Sequence, residues 1–509
     1  MQSNYGKTQS LWMREEETPR FGHLDSDVNT DVCIVGTGIA GLMCAYELAR
    51  EKYSVVVLEA GVLAGGETSR TTAHLSFALD DRYYELERLF GRDCARVAYE
   101  SHARAVDEIE EIIVRHGISC EFTRLDGYLF APPDESKEEL EQELAAALRA
   151  GVPVERVERA PLKGFDTGPA LRFSNQGQFN PLRFVNGLTD AITNLGGRIF
   201  TKSRVTKVQG GSRPTANSRG YTVTADAVIV ATNSPINDNL TIHARQSPYR
   251  TYAIGAAIPW DAVPRALYWD TLDPYHYVRL KSSMDSLERT GNDVLIVGGA
   301  DHRQGKAEDE TEHLEWLEKW TRDRFPVLDV RYKWSGMVLE PADSLALIGR
   351  DNAQENVYIA TGDSGHGMTH GVIAGMLLRD LIMGRSNSWA GLYDPSRLTP
   401  QAASEYLKDN AEVVGSLASW VTPGEISSKD NIAPGCGAVI RSGLEKRAVY
   451  RDQYGSFFSY SAVCPHLGCI VSWNGAEETW DCPCHGSRFD HLGKVIRGPA
   501  TQDLEALED

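Results

Sequence analysis

The stretch Asp31 to Ala60, DVCIVGTGIAGLMCAYELAREKYSVVVLEA, constrains the fold more than any other part of this 509-residue chain. Asp31 to Val35 is a short apolar run of the kind that forms a strand buried in a parallel sheet. Gly36-x-Gly38-x-x-Gly41 follows at once, then a helical pattern from Leu42 to Arg50, then a second apolar run, Val55 to Leu58, ending in Glu59. A glycine triplet alone is weak evidence. Here it lies between a strand and a helix, with an acidic residue 18 positions after its last glycine, and that context gives it meaning. Gly36 permits the tight turn, Gly38 lets the backbone approach a pyrophosphate, and Gly41 lets the helix pack on the strand. The helix N-terminus offers unpaired N–H groups and the positive end of its dipole to the anion. Glu59 can accept hydrogen bonds from a ribose. The segment predicts a Rossmann-like dinucleotide site.

FAD and NAD both use this arrangement, and the rest of the chain discriminates between them. A small-residue loop, GVLAGGETSRTTAHLS at 61–76, follows the Glu59 strand directly. At 357–383 the sequence VYIATGDSGHGMTHGVIAGMLLRDLIM reads as another strand, a glycine-rich turn and a long apolar helix. Gly362, Gly365 and Gly367 open that helix, so its N-terminus can face a second part of the same long cofactor. With Asn180-Pro181 before a helix, the strand ADAVIVATN at 225–233 and the segment Asp343 to Gly349, residues 28–385 resemble the D-amino-acid oxidase and glycine oxidase flavoproteins. The resemblance implies a non-covalently bound FAD lined by Gly36, Gly38, Gly41, Glu59, Thr71, Thr72, Val205 and the turn Gly362 to Thr369, including Met368. It also implies an α/β FAD domain beside a mixed-sheet substrate domain. His74 reads as a plain loop histidine, because its spacing does not fit the covalent attachment motif of such relatives.

Gly127 to Phe130, Thr251 to Ile258, Tyr275 to Leu280 and Val294 to Val297 read as strands. In the resembled family such a sheet roofs the flavin and forms the substrate pocket. Tyr249, Tyr252, Tyr268, Tyr275, His276, Tyr277 and Arg279 are concentrated there. A tyrosine brings an apolar face and one hydroxyl, which suits the orientation of a small amine. Tyr252, Tyr277 and Arg279 are therefore the expected catalytic residues, against the alternative that each tyrosine is an ordinary sheet residue. In glycine-oxidase-like relatives an arginine that binds the substrate carboxylate falls in the segment matching WSGMVLEPAD, where this chain has Val338. A bidentate guanidinium is hard to replace. Either Arg279 takes that role from another strand, or the substrate lacks an α-carboxylate; the second is the expectation.

Nine cysteines are unevenly placed. Cys33, Cys44, Cys94 and Cys120 are isolated and read as inert small residues. Near the C-terminus stand Cys464-Pro-His466-Leu-Gly-Cys469 and Cys482-Pro-Cys484-His485-Gly-Ser487, separated by 12 residues. Two cysteines and two histidines on two loops match Rieske ligation, in which histidines replace cysteines on one iron of a [2Fe–2S] cluster. A Cys2His2 zinc site is the alternative, but its finger spacing, with both histidines on one helix, is absent. The segment closely resembles Rieske proteins of the cytochrome bc1 and b6f type. That resemblance implies Cys464 and Cys482 on one iron, His466 and His485 on the other, a disulfide Cys469–Cys484 linking the loops, and a hydrogen bond from Ser487 to a cluster sulfur. The matching tyrosine donor is replaced by Phe489, which should lower the potential relative to such relatives.

The resulting division is discontinuous: FAD-binding residues 1–75, 181–245 and 335–384; a substrate domain at 76–180 and 246–334; a linker and amphipathic helix at 385–425; and a small Rieske β-sandwich at 426–509. Cluster and flavin would thus lie in separate domains. The expected reaction takes a hydride from the carbon next to an amine nitrogen of a small amine or amino acid, and electrons leave through the cluster to an external acceptor. Two alternatives stay open: electrons entering through the cluster for a reductive or oxygenase-type reaction, and a non-catalytic electron-transfer or redox-sensing protein. A net charge of −19 repels phosphate backbones, which argues against nucleic acid as a partner. No apolar run is long enough to span a bilayer, and a polar N-terminus containing Glu15-Glu16-Glu17 lacks the pattern of a signal peptide. The expected location is cytoplasmic.

Overall fold

In the computed structural model the described residues are 6–237, 240–281, 292–305, 310–407, 420, 422–443 and 445–508. The Asp31 segment nucleates a six-stranded sheet ordered Leu347–Arg350, Val357–Thr361, Ala227–Val230, Val32–Val35, Val55–Leu58, Arg198–Phe200. Its central strands pair in parallel and read VCIV, VVVL and AVIV. Each is buried along its whole length, as a sheet covered on both faces requires. The helices Ile39–Arg50 and Gly367–Ile382 pack against each other over one face. They fit closely because Gly371 and Gly375 meet the first helix where a Cβ would sit 2.7 to 2.9 Å from Ile39 and Met43.

A second, nine-stranded mixed sheet stands over the C-terminal ends of this one. Its long central strand Gln246–Ile258 pairs antiparallel with Asp293–Arg303 on one side and with Asp329–Pro341 on the other. His276–Lys281 and Leu267–Asp270 continue it, and Thr123–Phe130 joins Leu267–Asp270 in parallel. The four expected strands all fall in this sheet. The C-terminal domain holds a three-stranded and a four-stranded antiparallel sheet, Gly437–Ser442 to Phe457–Ser461 and Ser472–Asn474 to Val495–Arg497. Of the amphipathic helix expected within 385–425, residues 400–407 form helical turns, and 408–419 and 421 lie outside the described residues. Among the described residues no helix is long and apolar enough to cross a membrane.

The domains are not beads on a string. A buried ion-pair network joins the Rieske sheet to the flavin half: Arg250 Nη2 to Asp481 Oδ2 at 2.8 Å, Arg488 Nε to Asp481 Oδ1 at 2.9 Å and Arg70 Nη1 to Glu477 Oε1 at 3.1 Å. The paired guanidiniums hold the Asp481 carboxyl below the usual range despite its burial. Ser335 also donates to Glu477, and the N-terminal segment reaches the same carboxylate through the Thr8 amide.

Candidate active site and iron–sulfur centre

A single cavity of about 440 Å³ runs from the first glycine turn to the roof sheet. Gly36 has φ +111°, and Gly41 packs so close that a Cβ would run into the Gly36 carbonyl. Both are structural necessities of the turn; Gly36 and Gly38 line the cavity, whereas Gly41 lies behind it. Glu59 also lines the cavity and accepts from the Thr37 amide at 3.0 Å, the Thr37 hydroxyl at 2.7 Å and the Gly61 amide at 2.8 Å. Thr71, Thr72, Val205, Gly362, Gly365, Gly367 and Met368 line it too. Gly362 and Gly365 have φ +71° and +75°. Thr369 does not reach the cavity: it is buried in the helix, with its hydroxyl 2.8 Å from His102 Nδ1. A long cavity with a glycine cradle and a helix N-terminus at each of two turns fits a dinucleotide.

The roof end is acidic. Asp80, Asp81, Asp301 and Glu340 line it with His74, Thr251, Trp269, Tyr275, Tyr277 and Val338. Tyr275 donates to Asp80 at 3.1 Å and Ser364 to Asp81 at 2.8 Å. The Tyr277 and Thr251 hydroxyls lie 2.8 Å apart. Thr251 is also bonded to Asp301, whose Oδ1 is buried with no hydrogen-bond partner among the described residues. Burial, reinforced by neighbouring carboxylates, pushes Asp81 and Asp301 up to about 7 and Glu340 well above the usual range.

Two of the three expected catalytic residues lie elsewhere. Tyr252 follows Thr251 on the same strand, so it points to the opposite face, where its ring stacks on His302 and His313. Arg279 shares a face with Tyr275 and Tyr277 but lies farther along the strand, behind the cavity wall. It donates to the Thr72, Ala73 and Phe179 carbonyls at 3.0, 2.7 and 3.2 Å, over the Trp12 ring. Trp12 Nε1 in turn donates to the Thr71 carbonyl at 2.7 Å. Arg279 therefore holds the loop that carries Thr71 and Thr72, and burial lowers its pKa to about 9. Val338 does line the cavity, as the position expected of a carboxylate-binding arginine should. The four carboxylates were missed because they come from 80–81, 301 and 340, segments that only the roof topology brings together.

In the C-terminal domain two loops face each other. Gly468 and Gly486, at φ +78° and +85°, turn them; backbone bonds close them, Cys464 N to Cys469 O and Cys482 N to Ser487 O, both 2.8 Å. Cys469 and Cys484 form a disulfide with Cα atoms 6.5 Å apart, and Cys482 Sγ lies beside it. Cys464 and Cys482 are within hydrogen-bond reach of one another. Cys464 is held below its ordinary pKa by Cys482, by the His466 and Leu467 amides and by the Ser487 hydroxyl. The Cys484 and His485 amides point at Cys482. The His466 and His485 rings are 5.0 Å apart, and His485 Nδ1 is buried without a partner. Paired thiols among converging N–H donors, with an orphaned imidazole nitrogen beside them, fit a Rieske cluster.

The histidine edge of this centre faces the flavin half. His243 is buried against both imidazoles, with ring centroids 4.6 Å from His466 and 5.3 Å from His485. Ser234 donates to the His485 carbonyl at 3.2 Å and Gln304 to the Cys482 carbonyl at 2.9 Å. Ile496, Arg497 and Gly498 of the Rieske domain line the dinucleotide cavity itself. The two centres, carried by different parts of the chain, thus pack against each other, and residues 496–498 form part of the dinucleotide cavity's wall.

A dinucleotide cradle under a mixed-sheet roof and a two-loop cysteine–histidine centre, carried by one chain, define a flavoprotein oxidoreductase with its own Rieske iron–sulfur domain. The family model "FAD dependent oxidoreductase" matches residues 31–381, and the chain belongs to that family; the "Rieske [2Fe-2S] domain" model matches 423–508. The chain is 30% identical, over 98% of its length and 97% of the relative's, to a Bacillus subtilis protein described as a Rieske 2Fe-2S iron–sulfur protein, YhfW. It is 29% identical to gamma-glutamylputrescine oxidoreductase of Escherichia coli, over 72% of this chain and 86% of that one. The fold matches glycine oxidase from Geobacillus kaustophilus, with a TM-score of 0.62 at 19% identity over 73% of this chain and 99% of that one. The protein binds FAD and a [2Fe–2S] cluster and is an oxidoreductase.

Proposed function

We propose that the protein oxidises a small cationic amine without an α-carboxylate, and that its electrons pass through the Rieske domain to an external acceptor. The observation that carries this reading is the acidic roof. Asp80, Asp81, Asp301 and Glu340 face the cavity there, and among the described residues no arginine or lysine lines that end. Of the arginines that line the cavity, Arg70 and Arg204 bond to groups of the Rieske domain, and Arg497, itself of the Rieske domain, pairs with Glu67. A substrate carboxylate would meet four acidic groups and no guanidinium, whereas an ammonium would meet its natural partners.

When bound, the flavin supplies a hydride acceptor and the cluster a one-electron outlet. The chain's residues do the rest. The carboxylates draw the ammonium in, and the Tyr275 and Tyr277 rings flank it. Asp301, at about 7 and tied through Thr251 to Tyr277, is placed to take the proton an ammonium must shed before its neighbouring carbon can give up hydride. The docked histidine edge supports transfer from flavin to cluster, and the exposed Leu467 on the first ligand loop offers an exit toward an acceptor. The E. coli relative is named for a derivative of putrescine, an amine. Anaerobic titration with primary and secondary amines, beside glycine and alanine, tests the reading. Amines should bleach the flavin at lower concentration; preferential bleaching by a small α-amino acid contradicts it.

A further inference from the structure

The family's FAD-binding unit ends near residue 381, yet the cavity has a wall from beyond it. Ile496 and Arg497 end the last strand of the Rieske domain, and Gly498 follows. Arg497 is buried and pairs with Glu67, on the turn Glu67–Ser69 of the loop between Glu59 and Thr71. Glu67 also accepts from the Met337 amide at 2.7 Å, so one carboxylate ties the FAD loop, the roof strand and the Rieske domain together. Asp363, on the second glycine turn, faces the same guanidinium. Arg204, next to Val205, donates to the Val495 carbonyl at 3.0 Å, and Gly498 approaches Ile236 so closely that a Cβ would sit 3.0 Å from it. The wall is therefore clamped on both sides.

We infer that the Rieske domain completes the FAD site, with Arg497 as a FAD-site residue. Two acidic side chains, Glu67 and Asp363, line the cavity that takes a cofactor bearing an anionic pyrophosphate. Arg497 is the cation paired directly with Glu67, beside Arg70, and it comes from the iron–sulfur domain. Flavin binding and docking of the Rieske domain then support each other, by the reciprocity of linked equilibria. Flavin retention becomes a property of the whole chain.

Two experiments on the full-length protein test this. In Arg497→Gln protein that retains its iron and its cluster EPR signal, the FAD dissociation constant should rise about tenfold or more, a loss typical of a charged partner. Arg497→Lys should recover part of the affinity, and Lys494→Ala, at an exposed site just before the same strand, should leave it unchanged. In the wild-type chain, reloading flavin-free protein with FAD should slow amide exchange at Val495, Ile496 and Arg497. That measurement needs no variant and decides the matter if Arg497→Gln does not fold. Exchange at these amides that is indifferent to FAD, or an affinity in iron-loaded Arg497→Gln within about twofold of wild type, overturns the inference.

Discussion

A carboxyl is acidic or basic according to its surroundings, and the roof shows both the cost and the use of that. Carboxylates gathered in one desolvated cavity repel one another, and burial with neighbouring charge raises Asp81 and Asp301 to about 7 and Glu340 well above the usual range. Such groups are neutral at low pH and charged above their pKa. Cation binding and proton uptake therefore both improve as pH rises through about 7, and kcat/KM for an amine should climb across that window. Stability runs the opposite way: the folded state holds these protons more tightly than the unfolded chain, so their contribution declines as pH rises from the ordinary carboxyl range toward 7. Asp301→Asn should flatten the rise and lower kcat/KM by about 100-fold, the scale of a lost general base; steady-state kinetics across pH 6 to 9 check both. Arg279 has another task. Arg279→Ala leaves three buried carbonyls without their charged donor and should cost about 2 to 3 kcal/mol in thermal unfolding. It should leave the preference for amines over glycine untouched, which competition assays would reveal.

At the scale of elements, what was legible in the sequence was whatever local geometry dictates. The strand–glycine turn–helix of residues 31–59 and the two ligand loops are contiguous motifs whose spacing sets their chemistry, and the structure builds them as the spacing implies. The roof strands were legible too, but not their facing: Thr251 and Tyr252 alternate, so choosing the aromatic residue selected the wrong face. Arg279 has the right parity and the wrong reach. Nothing local marks His243 as a neighbour of His466 and His485, because partners more than 200 positions apart leave no periodic trace. The loop-linking disulfide Cys469–Cys484 closes a span of 15 residues, for which chain-entropy arguments give about 3 kcal/mol. Cys469→Ser should lower the unfolding temperature of the domain while keeping its iron, because it removes a staple and no proposed ligand; calorimetry and iron analysis separate the two effects.

At the scale of the whole molecule, two centres share a wall that no single motif announces. The interface is charged and buried, with Arg250, Asp481, Arg488, Glu477 and Arg70 satisfying one another across it. Removing one member of such a network strands another, so Arg250→Met should cost about 3 to 5 kcal/mol, seen as earlier unfolding of the C-terminal domain in calorimetry. Cys464→Ser, by contrast, removes a proposed iron ligand from a loop outside the Arg497 wall. It should abolish the cluster EPR signal while leaving about one flavin per chain.

The account turns on the order in which the two centres receive electrons. Histidine ligation places such clusters at about −150 to +300 mV, a range suited to accepting electrons from a reduced flavin. The direct test is anaerobic stopped-flow mixing of the iron-loaded holoprotein with an amine that it oxidises, while flavin and cluster absorbance are followed together. The flavin should bleach first and the cluster second, with the second phase missing in Cys464→Ser. A cluster that stays oxidised beside a fully reduced flavin would contradict the electron path and leave the Rieske domain as an input port or a sensor.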